Sequence, residues 1–154
     1  MNADQLHLML NHLPSIGQIV GCIIFMFGFA FKKTILQTTG AYVILFTSII
    51  VIPVSRSGEE SEEAIEHIGG VSHYDIHEHE DAAGQAFVIS LISGFVALVF
   101  IIGQKMKPYI ANYISIVLVI ACITSVALLI RASHLGGIIR HPELRTGNIE
   151  NKGN

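Results

Sequence analysis

Four long apolar runs divide this chain, and nearly every charged side chain falls outside them. The uncharged stretches run from about Gln5 to Phe31, Thr34 to Ser55, Ala82 to Gln104 and Pro108 to Ile130. Each is at least about 20 residues, the length a helix needs to cross a ~30 Å hydrocarbon core. Helices of that length and uniform apolarity in 154 residues leave too little chain to build a polar surface. Lipid must be the solvent. The pattern predicts an all-α, polytopic membrane protein: a four-transmembrane-helix bundle with spans at about 6–31, 34–55, 80–104 and 108–132. A short acidic helix outside the membrane, over Ser57 to His67, is expected between spans 2 and 3. Residues 1–141 form one domain, and 142–154, rich in Gly and Asn, form a flexible tail.

The connections sort the charges by side. Phe31-Lys32-Lys33-Thr34 and the stretch from Gly103 to Pro108 are too short for anything but antiparallel helical hairpins, and they carry only lysine. All twelve acidic residues and all eight histidines therefore lie at the opposite end of the bundle. Lysine and arginine total four in the tight turns against five at the other end, so a bare count does not orient the chain. The density of cations in turns that lack any anion points those turns to the cytoplasm by the positive-inside rule. Both termini and the histidine end are then extracytoplasmic. The first span begins Met-Asn-Ala-Asp, lacks a basic leader and is too long for a signal-peptide core, so it is expected to stay in the protein.

Composition adds exclusions. Hydrophobic residues make up 51% of the chain, charged residues 14%, and the net charge is -3. No basic patch suits nucleic acid. Cys22 and Cys122 sit inside apolar runs with no zinc, redox or c-type haem spacing, and read as small core residues. Gly17 and Gly21, with Gly28 further on, and Gly84 and Gly94 on span 3 mark places where helix backbones can approach in lipid.

The candidate chemistry lies at the polar end. His12 and Asn11 are embedded among apolar residues beside Pro14, which disfavours helix at Leu13 and frees a carbonyl one turn earlier. A polar group at that depth costs several kcal/mol unless paired, so His12 reads as a ligand or proton carrier ahead of a mere cap. His7 is closer to the interface and reads as wetted. After span 2, Glu59 and Glu60 adjoin Arg56; an ion pair is the favoured reading, completion of a metal shell the other. Before span 3, His77 shares a helical face with Glu80 or Asp81 and Gly84, while His79 points elsewhere. A histidine and a carboxylate three apart can hold one cation, since borderline divalent metals take imidazole nitrogen and carboxylate oxygen together. At the exit of span 4 stand Arg131 and His134, then Gly136-Gly137, which reads equally as a helix stop or as a bend around something bulky.

These segments are also where the chain is similar to a known group. His12-Leu13-Pro14, Ser57-Gly58-Glu59-Glu60, the stretch from His77 to Glu80 and Ser133-His134-Leu135-Gly136-Gly137 resemble a bacterial family of four-helix inner-membrane domains of unknown function. That family's pattern is His-Phe-Pro, Thr-Gly with an acidic tail, His and Glu before span 3, and Thr-Gly-His-Leu-Gly-Gly. Here Leu13 stands for the aromatic, Ser57 for the threonine, and Ala132-Ser133 for Thr-Gly; the histidines are kept. The resemblance covers about residues 6–141 and implies a bacterial inner (cytoplasmic) membrane location. Some relatives carry a Rieske-type iron–sulfur domain, which implies redox work, although this chain has no such domain.

Three functions are open on these grounds. The leading expectation is b-type haem held by His12 with His134 or His77, with Arg56 and Arg131 meeting the propionates and electrons passing between a quinone and a redox protein. The second is a non-haem site in which His12, Glu60, His77, Glu80 and His134 bind zinc, iron or copper. The third is an accessory subunit of a larger membrane complex without chemistry of its own. No nucleophile–base pair or phosphate loop marks a hydrolase or kinase.

Overall fold

The computed structural model describes the backbone of residues 12–65 and 73–140, and the side chains of residues 12–56 and 74–139. Four helices follow in order: α1 (His12–Ala30), α2 (Thr34–Ile65), α3 (His73–Met106) and α4 (Pro108–Arg140). All four are long and apolar enough to cross a membrane, and the described residues contain no strand. The chain is an all-α integral membrane protein. Each helix packs against its neighbours in sequence, and α4 closes the ring against α1 through a contact smaller than those three.

Local chemistry explains the tight hairpins. At the end of α1, Lys32 donates its amide to the Phe29 carbonyl (3.3 Å) and Lys33 donates to Gly28 (2.8 Å). That pair of bonds is a Schellman motif, which satisfies carbonyls left open at a helix C-terminus. Lys32 occupies its left-handed position, with φ of 53°, where glycine is usual. Between α3 and α4 a single residue suffices: Lys107 donates to Gly103 (2.8 Å) and its own carbonyl accepts from Ile110 and Ala111. Pro108 then opens α4, where a missing amide costs nothing and the fixed φ suits a helix.

Three boundaries differ from the sequence expectation. The acidic segment is not a separate helix: α2 runs unbroken through Pro53 to Ile65. Its glutamates are good helix formers, and one proline at the membrane edge removes a single amide without ending the helix beyond it. α4 likewise continues through Gly136-Gly137 to Arg140, so the glycine pair does not stop it. Leu13 is helical despite preceding Pro14. Residues 6–11 (with His7 and Asn11), Gly69-Gly70, His141 and the tail 142–154 lie outside the described residues, as do the side chains of Glu59, Glu60 and His73.

The core is thin and built on close approach. Phe25 of α1 meets Phe100 of α3 edge to face across the bundle, centroids 5.1 Å apart, with both rings fully buried. Ile44, Leu118, Ala41, Ala97 and Ala111 complete that cluster with Cys22 and Cys122. Along the α1–α2 hairpin a Cβ on Gly40 would stand 2.5 Å from the Phe25 amide nitrogen and 2.8 Å from the Gly21 carbonyl. Gly17 faces Thr47, and Gly94 on α3 faces Ser48. Such small-residue contacts let backbones pack tightly where lipid gives apolar surface no reason to choose helix over tail. Gly84 differs from the expectation: nothing lies within 4 Å of where its Cβ would be. Large side chains such as Phe46, Phe95 and Ile120 cover the outer faces, where lipid would meet them.

Candidate functional site

The polar end is organised by two cross-helix contacts. Ser15 of α1 and Ser133 of α4 share a hydrogen bond of 3.3 Å between hydroxyls. His79 of α3 donates from Nδ1 to the Ala132 carbonyl of α4 at 3.0 Å. Its ring fits there because Gly136 has no side chain: a Cβ would lie 3.0 Å from His79 Cε1. Beneath this layer Ala82, Ala86 and Ala132 let α3 and α4 close together. Sequence spacing points His79 away from the site, whereas in the fold it joins two helices.

The residues singled out from sequence surround these contacts. His12 lies three positions before Ser15, and His134 follows Ser133; both are exposed. Two residues before His79, His77 Nδ1 donates to Glu80 Oε2 at 2.9 Å. Their side chains are 77% and 44% exposed, so the pair faces outward. Arg56 and Arg131 are exposed at the same end. Among the described residues no three histidine, cysteine, aspartate or glutamate side chains converge on one point. The bundle thus brings His77 and Glu80 into contact and sets His12 and His134 at the end of the α1–α4 seam. Glu60 lies on the α2 backbone beyond Arg56, its side chain outside the described ones.

Deeper in the bundle are polar groups that hydrophobic patterning does not reveal. Gln18 is fully buried and donates from Nε2 to Ser48 Oγ at 2.9 Å, while Ser48 donates to the Ile44 carbonyl at 2.8 Å. Gln18 Oε1 is buried without a hydrogen-bond partner. Ser90 of α3 and Ser125 of α4 bond each other at 2.9 Å, also fully buried. Cys22 and Cys122 belong to different helices and to the same buried core cluster. The signal in the sequence is helical phase: Ser15, Gln18, Cys22 and Phe25 recur on one stripe of α1. An open groove between α3 and α4, lined by Gly84, Gln85, Val88, Ile89, Thr124 and Leu128, carries little polarity. Comparison of the chain with protein-family models, curated proteins and solved structures finds no match.

Proposed function

We propose that this membrane protein holds a divalent transition metal, zinc, iron or copper, at its polar end. His77 and Glu80 are its first ligands, and His12, His134 and Glu60 are the groups that complete the shell. The observation that supports this reading is the 2.9 Å separation of His77 Nδ1 and Glu80 Oε2 on a solvent-facing side of α3. An ion about 2.1 Å from a nitrogen and an oxygen in a tetrahedral shell holds them about 3.4 Å apart. Replacing the shared proton by a metal therefore needs little rearrangement, and exposure leaves room for further ligands. The polar end is taken as extracytoplasmic and the membrane as a bacterial inner membrane. Membership of the four-helix family with the His-Leu-Gly-Gly motif is proposed on the same footing.

One observation favours a second reading. Ser15 and Ser133 meet at the α1–α4 seam, with His12 and His134 beside them, so two helices each bring a histidine to one end. His12 and His134 would hold haem b, with Arg56 and Arg131 for the propionates. Bound haem would supply one-electron chemistry between a quinone and a redox protein. Elemental analysis of the purified protein, with oxidised-minus-reduced visible spectra, separates the readings. Stoichiometric metal without a visible band, lost on His77→Ala, is the expected result. A sharp reduced band lost on His12→Ala establishes haem instead. Neither signal leaves the accessory subunit role.

A further inference from the structure

The open groove between α3 and α4 lies on the outside of the bundle, where Gln85, Val88 and Thr124 are exposed. Its volume of about 490 Å³ falls within the range of ~300–1,000 Å³ usual for small-molecule sites. Gly84 leaves the floor bare, with nothing within 4 Å of where a Cβ would stand. The groove sits at the polar end of both spans, since Gly84 is near the start of the apolar run of α3 and Leu128 near the end of that of α4. A lipid at this depth presents its glycerol esters and first acyl carbons. Gln85 places a primary amide there, on an outward face where an unpaired polar group is costly.

The rim above the groove carries opposite charges on its two sides. His79 meets Ala132 and Ser90 meets Ser125, so the antiparallel helices bring Asp81 and Arg131 to the same height. Asp81 stands three and four residues before Gly84 and Gln85, and Arg131 three and seven after Leu128 and Thr124. Those spacings put each on the groove-lining face of its helix. Both are exposed, and among the described residues neither is spent in an ion pair. Glu78, one turn beyond Asp81 on the same stripe, adds a second carboxylate to the α3 side.

We propose that this groove is a site for one phospholipid with a zwitterionic, primary-amine headgroup, a phosphatidylethanolamine. Its phosphate meets Arg131 and its ammonium meets Asp81. Gln85 lies one turn, about 5.4 Å, below Asp81 and donates its amide to a glycerol ester carbonyl. That depth matches a headgroup layer of about 5–8 Å on each face of the hydrocarbon. The upper part of one acyl chain lies over Gly84, against Val88 and Leu128. Two carboxylates facing one guanidinium disfavour a headgroup of net negative charge. A choline headgroup has the same charges but no N–H, so it forgoes the charge-assisted hydrogen bond to Asp81.

The test uses the full chain, purified and delipidated in detergent, with a metal chelator present so that the polar-end metal reading and this one can fail separately. Native mass spectrometry follows titration with dioleoyl phosphatidylethanolamine, phosphatidylcholine and phosphatidylglycerol in turn. The expected result is one phosphatidylethanolamine per chain, held about tenfold more tightly than either other lipid, the size of one hydrogen bond to a charged group. Arg131→Ala should weaken all three lipids, since all carry the phosphate. Asp81→Ala should erase the advantage of phosphatidylethanolamine over phosphatidylcholine, and Gly84→Phe should remove the adduct by filling the groove. Equal retention of the three lipids in wild type, or an ethanolamine preference that survives Asp81→Ala, overturns the proposal. So does a dimer without bound lipid, which would show a second copy of the chain in the groove. The wild-type ranking decides even if a variant fails to fold.

Discussion

His79 of α3 donates from Nδ1 to the carbonyl oxygen of Ala132 on α4, 3.0 Å away, with its ring laid against Gly136. A histidine near a metal-like motif is here a strut between two membrane helices. His79→Leu should therefore lower the stability of the metal-free protein by about 0.6–1.5 kcal/mol, the range for interhelical polar contacts in membranes. Gly136→Val should cost at least as much, because the ring must be displaced. His77→Ala, at an exposed position, should stay within about 0.5 kcal/mol. Thermal unfolding measured by circular dichroism ranks the three. Equal effects from His77→Ala and His79→Leu would refute the strut.

The α1–α2 turn holds a non-glycine residue in a left-handed conformation, Lys32 at φ 53°. L side chains pay about 1 kcal/mol there through the clash of Cβ with the following carbonyl. Lys32→Gly should raise stability by roughly that amount, and Lys33→Gly should not. The comparison is matched in charge, since each variant removes one lysine from the same turn. A lower melting point for Lys32→Gly than for Lys33→Gly would show that the turn is held by the lysine side chain.

Much of this architecture is legible from sequence, and the remainder has a definite physical reason for being hidden. Length and uniform apolarity locate the four helices, because crossing hydrocarbon requires them. The hairpin turns are dictated by connections too short for any alternative. Boundaries are harder: Pro53 and Gly136-Gly137 are breakers in water, but α2 and α4 carry on through them. The same holds for the site. His12, His77, Glu80 and His134 fall at one end by topology alone. Which of them touch depends on how each helix is rotated about its axis, and helices that are apolar all round give little phase information. The side of α3 that His79 occupies is therefore hidden in the sequence.

Glycines with the same helical surroundings should respond oppositely to a methyl group. On Gly40 a Cβ would meet the backbone of Phe25 and Gly21, at 2.5 and 2.8 Å, and backbone cannot rotate out of the way. Gly40→Ala should destabilise the hairpin by about 1–3 kcal/mol, the usual cost of overpacking. On Gly84 the same methyl meets nothing within 4 Å. Gly84→Ala should gain about 0.5–1 kcal/mol from the stiffer helix. Thermal unfolding of the two variants side by side in detergent checks both signs at once. A loss at Gly84 would mean that another surface covers it.

Gln18 offers the sharpest balance of opposing effects. Its Nε2 donates to Ser48 Oγ at 2.9 Å, so removing the amide sacrifices one interhelical bond. Ser48 keeps its own donation to the Ile44 carbonyl at 2.8 Å, which limits the damage. Against that loss stands Oε1, fully buried and without a donor. An interhelical bond in a membrane is worth about 0.6 kcal/mol, whereas an unsatisfied buried acceptor costs about 1–3 kcal/mol. Gln18→Met, of similar volume and without polar hydrogen-bonding demands, should therefore raise the stability of the metal-free protein by about 1 kcal/mol. Thermal unfolding in the presence of a metal chelator gives the sign. A fall in stability would mean that Oε1 has a donor in the native membrane, and a water molecule beside Gln18 would then be the group to look for.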